Sequence, residues 1–123
     1  MNNLSVDYGV LGRRDEGLAA IEETVEVYRR LAAADPAAHE PDLAMSVHNL
    51  SIRLGEVGRQ DEGLAAIEEA IEVYRPMAVA IPEVFAGRLR TAQATRASLL
   101  DGLGRSEEAR EIRRRLADEP TGD

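Results

Sequence analysis

The chain has 123 residues, no cysteine, no tryptophan and a formal net charge of −8 at pH 7. Its length fits one compact domain or one short repeat array, and the lack of cysteine excludes disulfides and thiolate metal sites. The acidic balance argues against nucleic acid and anionic membrane surfaces as partners, and no apolar run approaches the roughly 18 residues of a membrane span.

A repeat of 46 residues organises the chain. Most positions from Asn3 to Pro36 carry the same residue as the position 46 further on, and the match has no gap. A self-match of this length indicates a repeat array. We therefore predict an array over residues 1–117. Its units are 1–35, 36–81 and 82–117, followed by a flexible tail at 118–123.

The first unit predicts two helices separated by a glycine turn. A stripe at helical spacing runs to Leu11, where Gly12 stops it and Arg13 begins the reversal. The second helix is amphipathic, with an apolar residue every three or four positions, and it ends before Pro36. Its stripe consists of Leu18, Ile21, Val25, Tyr28 and Ala32. The segment 37–40 is predicted to be a connector.

The second unit predicts a third and a fourth helix with the same stripes. Pro41 suits the first position of the third helix, and Gly58 ends that helix. Pro76 lies inside the fourth helix. An interior proline removes one backbone hydrogen bond and costs about 3 kcal/mol, so we expect a kink or an early end near Arg75.

The third unit predicts the fifth and sixth helices. Pro82 opens the fifth helix, Gly104 ends it, and Ser106 is the expected cap of the sixth. Arg110 and Arg113 stand where the second unit has two core residues. We therefore expect the last helix to be a capping helix with a polar, solvent-exposed outer face, as terminal repeats require.

The unit of helix, glycine turn and helix resembles the tetratricopeptide repeat. The residues that carry the resemblance are Leu50, Leu54, Gly58, Gly63, Ile67 and Ala70, with the counterparts Leu4, Tyr8, Gly12, Gly17, Ile21, Thr24, Leu100, Gly104 and Ala109. The period exceeds the usual 34 residues, as in the long repeats of kinesin light chain and of bacterial multi-repeat proteins. The resemblance implies an all-α fold of six helices in three antiparallel pairs, stacked as a right-handed superhelix.

The resemblance also implies a non-enzymatic protein–protein interaction module. The first helices of the pairs would line a concave face that binds an extended peptide, moderately apolar or basic rather than acidic. The expected peptide-binding residues are Asn3, Val6, Met45, His48, Asn49, Ile52, Thr91, Thr95 and Ser98. Asn49 is expected to be the central contact, because an amide both donates and accepts hydrogen bonds. The alternative is that Asn3 and Asn49 brace neighbouring helix pairs.

The sequence offers no pattern typical of an enzyme. His39 and His48 are the two histidines and stand on different predicted elements, so no metal site is expected. The pairs Glu22-Glu23 and Glu68-Glu69 repeat on the polar side of amphipathic helices, and we interpret them as solvated faces rather than acid–base pairs. We expect no cofactor and no catalysis, and an enzyme with an unrecognised site is the least favoured hypothesis.

Self-association is the second hypothesis. The counterpart of Pro41 in the first unit would lie six residues before Met1. The chain is then either a fragment of a longer tetratricopeptide-containing regulatory protein, or residues 1–12 pack against another molecule. A homo-oligomer formed through residues 1–12 is one such arrangement, in which the chain is a structural piece with an uncapped N-terminal end.

The composition predicts a bacterial cytoplasmic protein. All fifteen basic residues are arginine, which together with abundant alanine is typical of GC-rich bacterial genomes. The N-terminus has no basic region followed by an apolar stretch, so no signal peptide is expected.

Overall fold

The computed structural model describes the backbone of residues 2–119 and the side chains of residues 16–119. All regular structure in this part of the chain is helical. The helices are α1 (Asn2–Ala34), α2 (Pro36–Glu56), α3 (Gln60–Ala80), α4 (Pro82–Gly102) and α5 (Ser106–Asp118). Each helix packs against the next one along the chain, and α2 also contacts α4. The prediction of an all-α solenoid of the tetratricopeptide type is confirmed.

The predicted turn at Gly12 is wrong, and the described chain has five helices instead of six. α1 is one helix of 33 residues that runs straight through Gly12 and Arg13. A glycine permits a chain reversal but does not force one. Reversal at Gly12 would give up backbone hydrogen bonds of the continuous helix, and only a short first helix with three stripe residues would be available to offset them.

The reversals at Gly58 and Gly104 are formed by the same motif. Both glycines adopt a positive φ, 85° and 78° respectively. The next amide reaches back five residues, from Arg59 to the carbonyl of Leu54 and from Arg105 to Leu100, each at 2.8 Å. This is the Schellman pattern, which satisfies the last carbonyls of a helix and needs a residue with φ above zero. α2 and α4 therefore end where the sequence predicts.

The segment 37–40, expected to be a connector, is the first turn of α2. Pro36 is the first helical residue, and Asp35 caps the helix by accepting a hydrogen bond at Oδ1 from the amide of Ala38 at 3.4 Å. The proline has no amide to leave unsatisfied at that position, and the Asp35 carboxylate serves the next orphan donor. Pro41 lies inside the helix instead of opening it.

The early end predicted near Arg75 is also wrong, because α3 continues through Pro76 to Ala80. Met77 and Ala78 are partly buried against the core and hold the last turn in place. Pro82 opens α4 as predicted. Ser106 is the first residue of α5 and not its cap, since Arg105 occupies the cap position without a side-chain hydrogen bond to the backbone.

Two residues of the predicted flexible tail at 118–123 are held in place in the described structure. Asp118 is the last residue of α5. Glu119 pairs with Arg90 of α4 at 2.5 Å, and Arg90 also donates to the carbonyl of Leu116. These contacts attach the chain to α4 as far as Glu119, and residues 120–123 lie outside the described part of the chain.

The end helices show which helical face meets which neighbour. In the described structure α1 packs against α2 alone, through the stripe that includes Leu18, Val25 and Ala32. α5 packs against α4 alone, and its buried residues are Ala109 and Ile112. The second helix of a repeat unit therefore has two separate apolar faces. One faces the helix before it and the other faces the helix after it, and in α3 both are buried.

Candidate functional site

Six of the expected peptide-binding residues line one groove between α2 and α4. α2 contributes residues three and four positions apart, and α4 does the same, so each set lies on one helix face. The six residues are Met45, His48, Ile52, Thr91, Thr95 and Ser98. We call this feature the α2–α4 groove. The contact between the two helices positions it, and the hydrogen bond between His48 and Thr95 divides it into two chambers.

The first chamber has a volume of about 560 Å³. Its lining residues are Met45, His48, Tyr74, Val84, Gly87, Arg88 and Thr91. Met45 is 44% exposed, whereas Tyr74 is only 2% exposed and lies within the core. The rings of Tyr74 and Phe85 are 6.4 Å apart, and the guanidinium of Arg88 lies 5.4 Å from the Phe85 ring centre. This cation–π contact holds a positive charge at the rim of a chamber whose other lining side chains are uncharged.

The second chamber has a volume of about 360 Å³. Its lining residues are Ile52, Gly55, Glu56, Gln60, Thr95, Ser98 and Leu99. Gln60 donates from Nε2 to the carbonyl of Gly55 at 3.0 Å, which ties the start of α3 to the end of α2. Glu56 pairs with Arg53 at 3.1 Å. The charged groups that line the two chambers therefore have opposite signs, positive at Arg88 and negative at Glu56.

The surroundings of His48 favour the neutral form of its imidazole. Its Nε2 lies 2.9 Å from Oγ1 of Thr95. Burial lowers the pKa of His48 below its ordinary value of 6.5, because the charged form loses solvation between the helices. Burial likewise raises the pKa of the Tyr74 hydroxyl, against the opposing effect of the nearby Arg88 charge. At neutral pH the lining thus carries uncharged hydrogen-bonding groups on an apolar base.

The other expected contact residues are not in the groove. Asn49 is exposed on α2, next to the row of Met45, His48 and Ile52, and it lines neither chamber. The side chains of Asn3 and Val6 lie outside the described residues. Because α1 does not reverse at Gly12, these two positions belong to the same helix as residues 16–34.

The expected set of contact residues does not include several residues that help to form the groove. Among them are Tyr74, Val84, Arg88 and Gln60. Tyr74 belongs to the predicted core stripe, and it does pack in the core, but its edge reaches the first chamber. Val84, 47% exposed in the first turn of α4, carries a usable signal as an apolar residue outside any stripe.

The acidic pairs of the sequence are on solvated faces, as interpreted. Glu22, Glu23 and Glu68 are exposed. Glu68 pairs with Arg96 at 3.2 Å, and Glu69 forms a two-pronged pair with Arg29 that joins α3 to α1. Among residues 16–119, no group of three or more histidine, aspartate or glutamate side chains could hold a metal ion.

A comparison with family models matches residues 1–37 to the tetratricopeptide repeat. No curated protein and no solved structure matches the chain. None of the helices in the described part of the chain is long and apolar enough to cross a membrane. The family match covers the first unit of the repeat, and the second unit repeats its sequence 46 residues on.

Proposed function

We propose that this tetratricopeptide-repeat chain is a non-enzymatic protein-interaction module whose α2–α4 groove binds an extended segment of a partner protein. Tetratricopeptide repeats generally mediate contacts between proteins, which supports the coarse assignment. The more specific assignment, binding of an extended segment, rests on the α2–α4 groove itself. It joins two chambers along the α2–α4 contact and is lined by exposed apolar side chains and uncharged hydrogen-bonding groups.

The lining determines the chemistry of the segment that fits. Met45, Ile52 and Val84 are large apolar side chains left partly in water, and covering them with a partner's apolar side chains is favourable by about 25 cal/mol per Å². Thr91 and Ser98 can exchange hydrogen bonds with a peptide backbone. The segment therefore has an apolar centre of a few residues.

The charges at the two ends of the groove favour one direction of binding. An acidic side chain of the segment would lie near Arg88, and a basic one near Glu56. Charge complementarity of this kind fixes register and direction more than it adds affinity. The preference is for a segment that is acidic at one end, apolar in the middle and basic at the other.

The experiment selects peptides from a random library on the purified chain and then measures their affinity by calorimetry. Met45→Ala and Ile52→Ala should each weaken binding about threefold to tenfold, because roughly 1 kcal/mol of apolar contact is lost. Asn49→Ala is the matched control, because Asn49 is exposed on α2 beside the groove but lines neither chamber. If Asn49→Ala has the larger effect, the binding surface is the other side of α2, and the groove assignment fails.

A further inference from the structure

Gly17 and Gly63 occupy the same position in the repeat but have different surroundings. A Cβ added at Gly63 would meet the carbonyl oxygen of Ser51 at 2.9 Å and the amide of Gly55 at 3.5 Å, so this glycine lets α2 approach α3 closely. A Cβ added at Gly17 would meet nothing within 4 Å. Glycine inside a helix costs about 1 kcal/mol relative to alanine, and at Gly17 no neighbour in the described structure accounts for that cost.

The rest of the same face on α1 is also open. Ala20, Thr24, Val27 and Leu31 are exposed, the last two at 44% and 39%. Their counterparts in α3 are Ala66, Ala70, Val73 and Met77, and these are buried or partly buried. In α5 the corresponding face, at Ala109 and Ile112, packs on the preceding helix. The open face of α1 is therefore the surface that receives the first helix of a repeat unit.

The sequence that suits this face lies in residues 3–12. Asn3-Leu4-Ser5, Gly9 and Gly12 repeat Asn49-Leu50-Ser51, Gly55 and Gly58 at the end of α2 and in the turn after it. Ser51 and Gly55 are the ones that lie against Gly63 of α3. In this structure residues 2–12 continue α1 in a single helix. A continuous helix cannot fold onto its own side, so the segment and the face that match each other do not meet within one copy of the chain.

We infer that two copies of the chain pair through α1, with residues 2–12 of each copy packed on the open face of the other. This is an exchange of the first helix of the repeat, opened at Gly12, and it does not depend on what the α2–α4 groove binds. Open hinges of this kind are a low-cost route to dimers with two-fold symmetry.

The second unit gives the register of the pairing. Gly63 lies against Ser51 and Gly55, so Gly17 of one copy would lie against Ser5 and Gly9 of the other. The two helices are antiparallel, so two residues that face each other, one from each copy, have numbers that add up to about 24. The two-fold axis then passes close to Gly12. The contact runs from residue 2 to about residue 22, roughly 30 Å of helix on each copy. It therefore covers Gly17 and Ala20 of the open face and leaves Thr24, Val27 and Leu31 beyond its end.

The size of this contact suits a reversible dimer. Its length equals that of α2 and α3, which are 21 residues each and pack along one another within the chain. One face of such a helix offers about ten contact residues, fewer than the roughly 20–30 a side of a standard interface. We therefore expect micromolar dissociation. Each copy carries a charge of −8, so association should strengthen as salt screens the repulsion.

Light scattering after size-exclusion chromatography, from about 1 µM to 1 mM protein, tests the pairing. The wild type should shift from monomer to dimer across this range. Gly17→Ala should weaken the dimer at least tenfold, since its Cβ would press on the backbone of the second copy, while it raises the melting temperature of the monomer. Gly87→Ala is the control, because Gly87 is also helical with nothing within 4 Å, and it should leave dimerisation unchanged.

Each contrary result has a clear meaning. A chain that stays monomeric at 1 mM overturns the inference. If Gly17→Ala also destabilises that monomer, residues 2–12 fold back onto their own α1. A dimer that is indifferent to Gly17→Ala uses another surface, which equally overturns the exchange.

Discussion

His48 on α2 and Thr95 on α4 are 47 residues apart in sequence and are joined by a hydrogen bond of 2.9 Å. The separation is one repeat length plus one residue, so the bond connects nearly equivalent positions of two successive units. It is the point where the α2–α4 groove is divided, and it depends on a partly buried imidazole whose charged form is disfavoured.

The first prediction concerns pH. Because the pKa of His48 in the folded chain is below its ordinary value of 6.5, the unfolded chain binds more protons as the pH falls below 6.5. Stability is therefore fully present above that value and decreases as the pH falls toward the folded pKa. The melting temperature of the wild type should fall more steeply between pH 7 and pH 5 than that of His48→Gln. Parallel profiles for the two proteins would refute this account.

Acidic residues act in a separate, lower window. Hydrogen bonds from Arg59, Arg105 and Arg114 lower the pKa of Glu62, Glu108 and Glu111 below the ordinary 4.5. Their contribution is present above pH 4.5 and is lost below it, so this loss begins at a lower pH than the His48 effect, which begins below pH 6.5. All three carboxylates are exposed or nearly so, and their effect should shrink at high salt.

The second prediction compares glycines at equivalent positions of the repeat. Gly58→Ala should destabilise the chain by about 1–2 kcal/mol, because Gly58 has a φ of 85° and a side chain is strained there. Gly12→Ala should instead stabilise it by up to about 1 kcal/mol, since Gly12 lies inside continuous α1. Urea unfolding of the two variants measures both changes. Equal losses would mean that Gly12 is a turn residue after all.

The third prediction concerns close packing of α2 on α3. Gly63→Ala should cost about 1–3 kcal/mol, because its Cβ would press on the backbone carbonyl of Ser51 at 2.9 Å as well as on Leu99 Cδ2 at 3.0 Å. The Leu99 side chain can move, but the carbonyl belongs to the backbone of α2 and cannot yield in the same way. Gly87→Ala is a helical control in open space and should be neutral or stabilising. Thermal unfolding followed by circular dichroism compares them, and a Gly63→Ala protein as stable as the wild type would show that the helices can separate at little cost.

The fourth prediction concerns the outer face of α5. Arg110 and Arg113 are exposed, and Arg113 pairs with Asp101 at 2.7 Å. Changing both to leucine should promote association, because it creates an apolar patch where a following helix would pack. Sedimentation velocity against the wild type measures it, and Arg114→Leu serves as a single-site control. A double variant that stays as monodisperse as the wild type and gains stability would show that these arginines do not serve solubility.

The fifth prediction concerns the pair between Arg29 and Glu69. It joins α1 to α3, which otherwise have no direct packing contact in the described structure, and it raises the pKa of Arg29. Both side chains are substantially exposed, so Arg29→Ala should cost less than about 1 kcal/mol. The loss should vanish in 1 M salt. A loss that persists at high salt would instead assign the effect to packing of the arginine stem.

Local chemistry explains most of what the sequence predicts correctly. The apolar stripe of Leu64, Ile67 and Tyr74 predicts a buried helix, and Gly58 and Gly104 predict the two reversals, because each signal lies within a few residues of its effect. Pro82 likewise predicts the start of α4. At the start of α2 the local signal is ambiguous, since Pro36 and Pro41 both suit a first helical position. The helix begins at the former and accommodates the latter in its interior.

Hydrophobic periodicity and glycine conformation are local properties, and for that reason the helical class, the repeat and the faces that α3 buries could all be predicted from the residues. Whether the chain reverses at Gly12 is not a local property, because reversal depends on whether a first helix finds a surface that offsets its lost hydrogen bonds. The same holds for the groove. Met45, His48 and Ile52 share a face by helical geometry alone, but their approach to Thr91, Thr95 and Ser98 follows from the packing of α2 against α4, which no stretch of sequence contains.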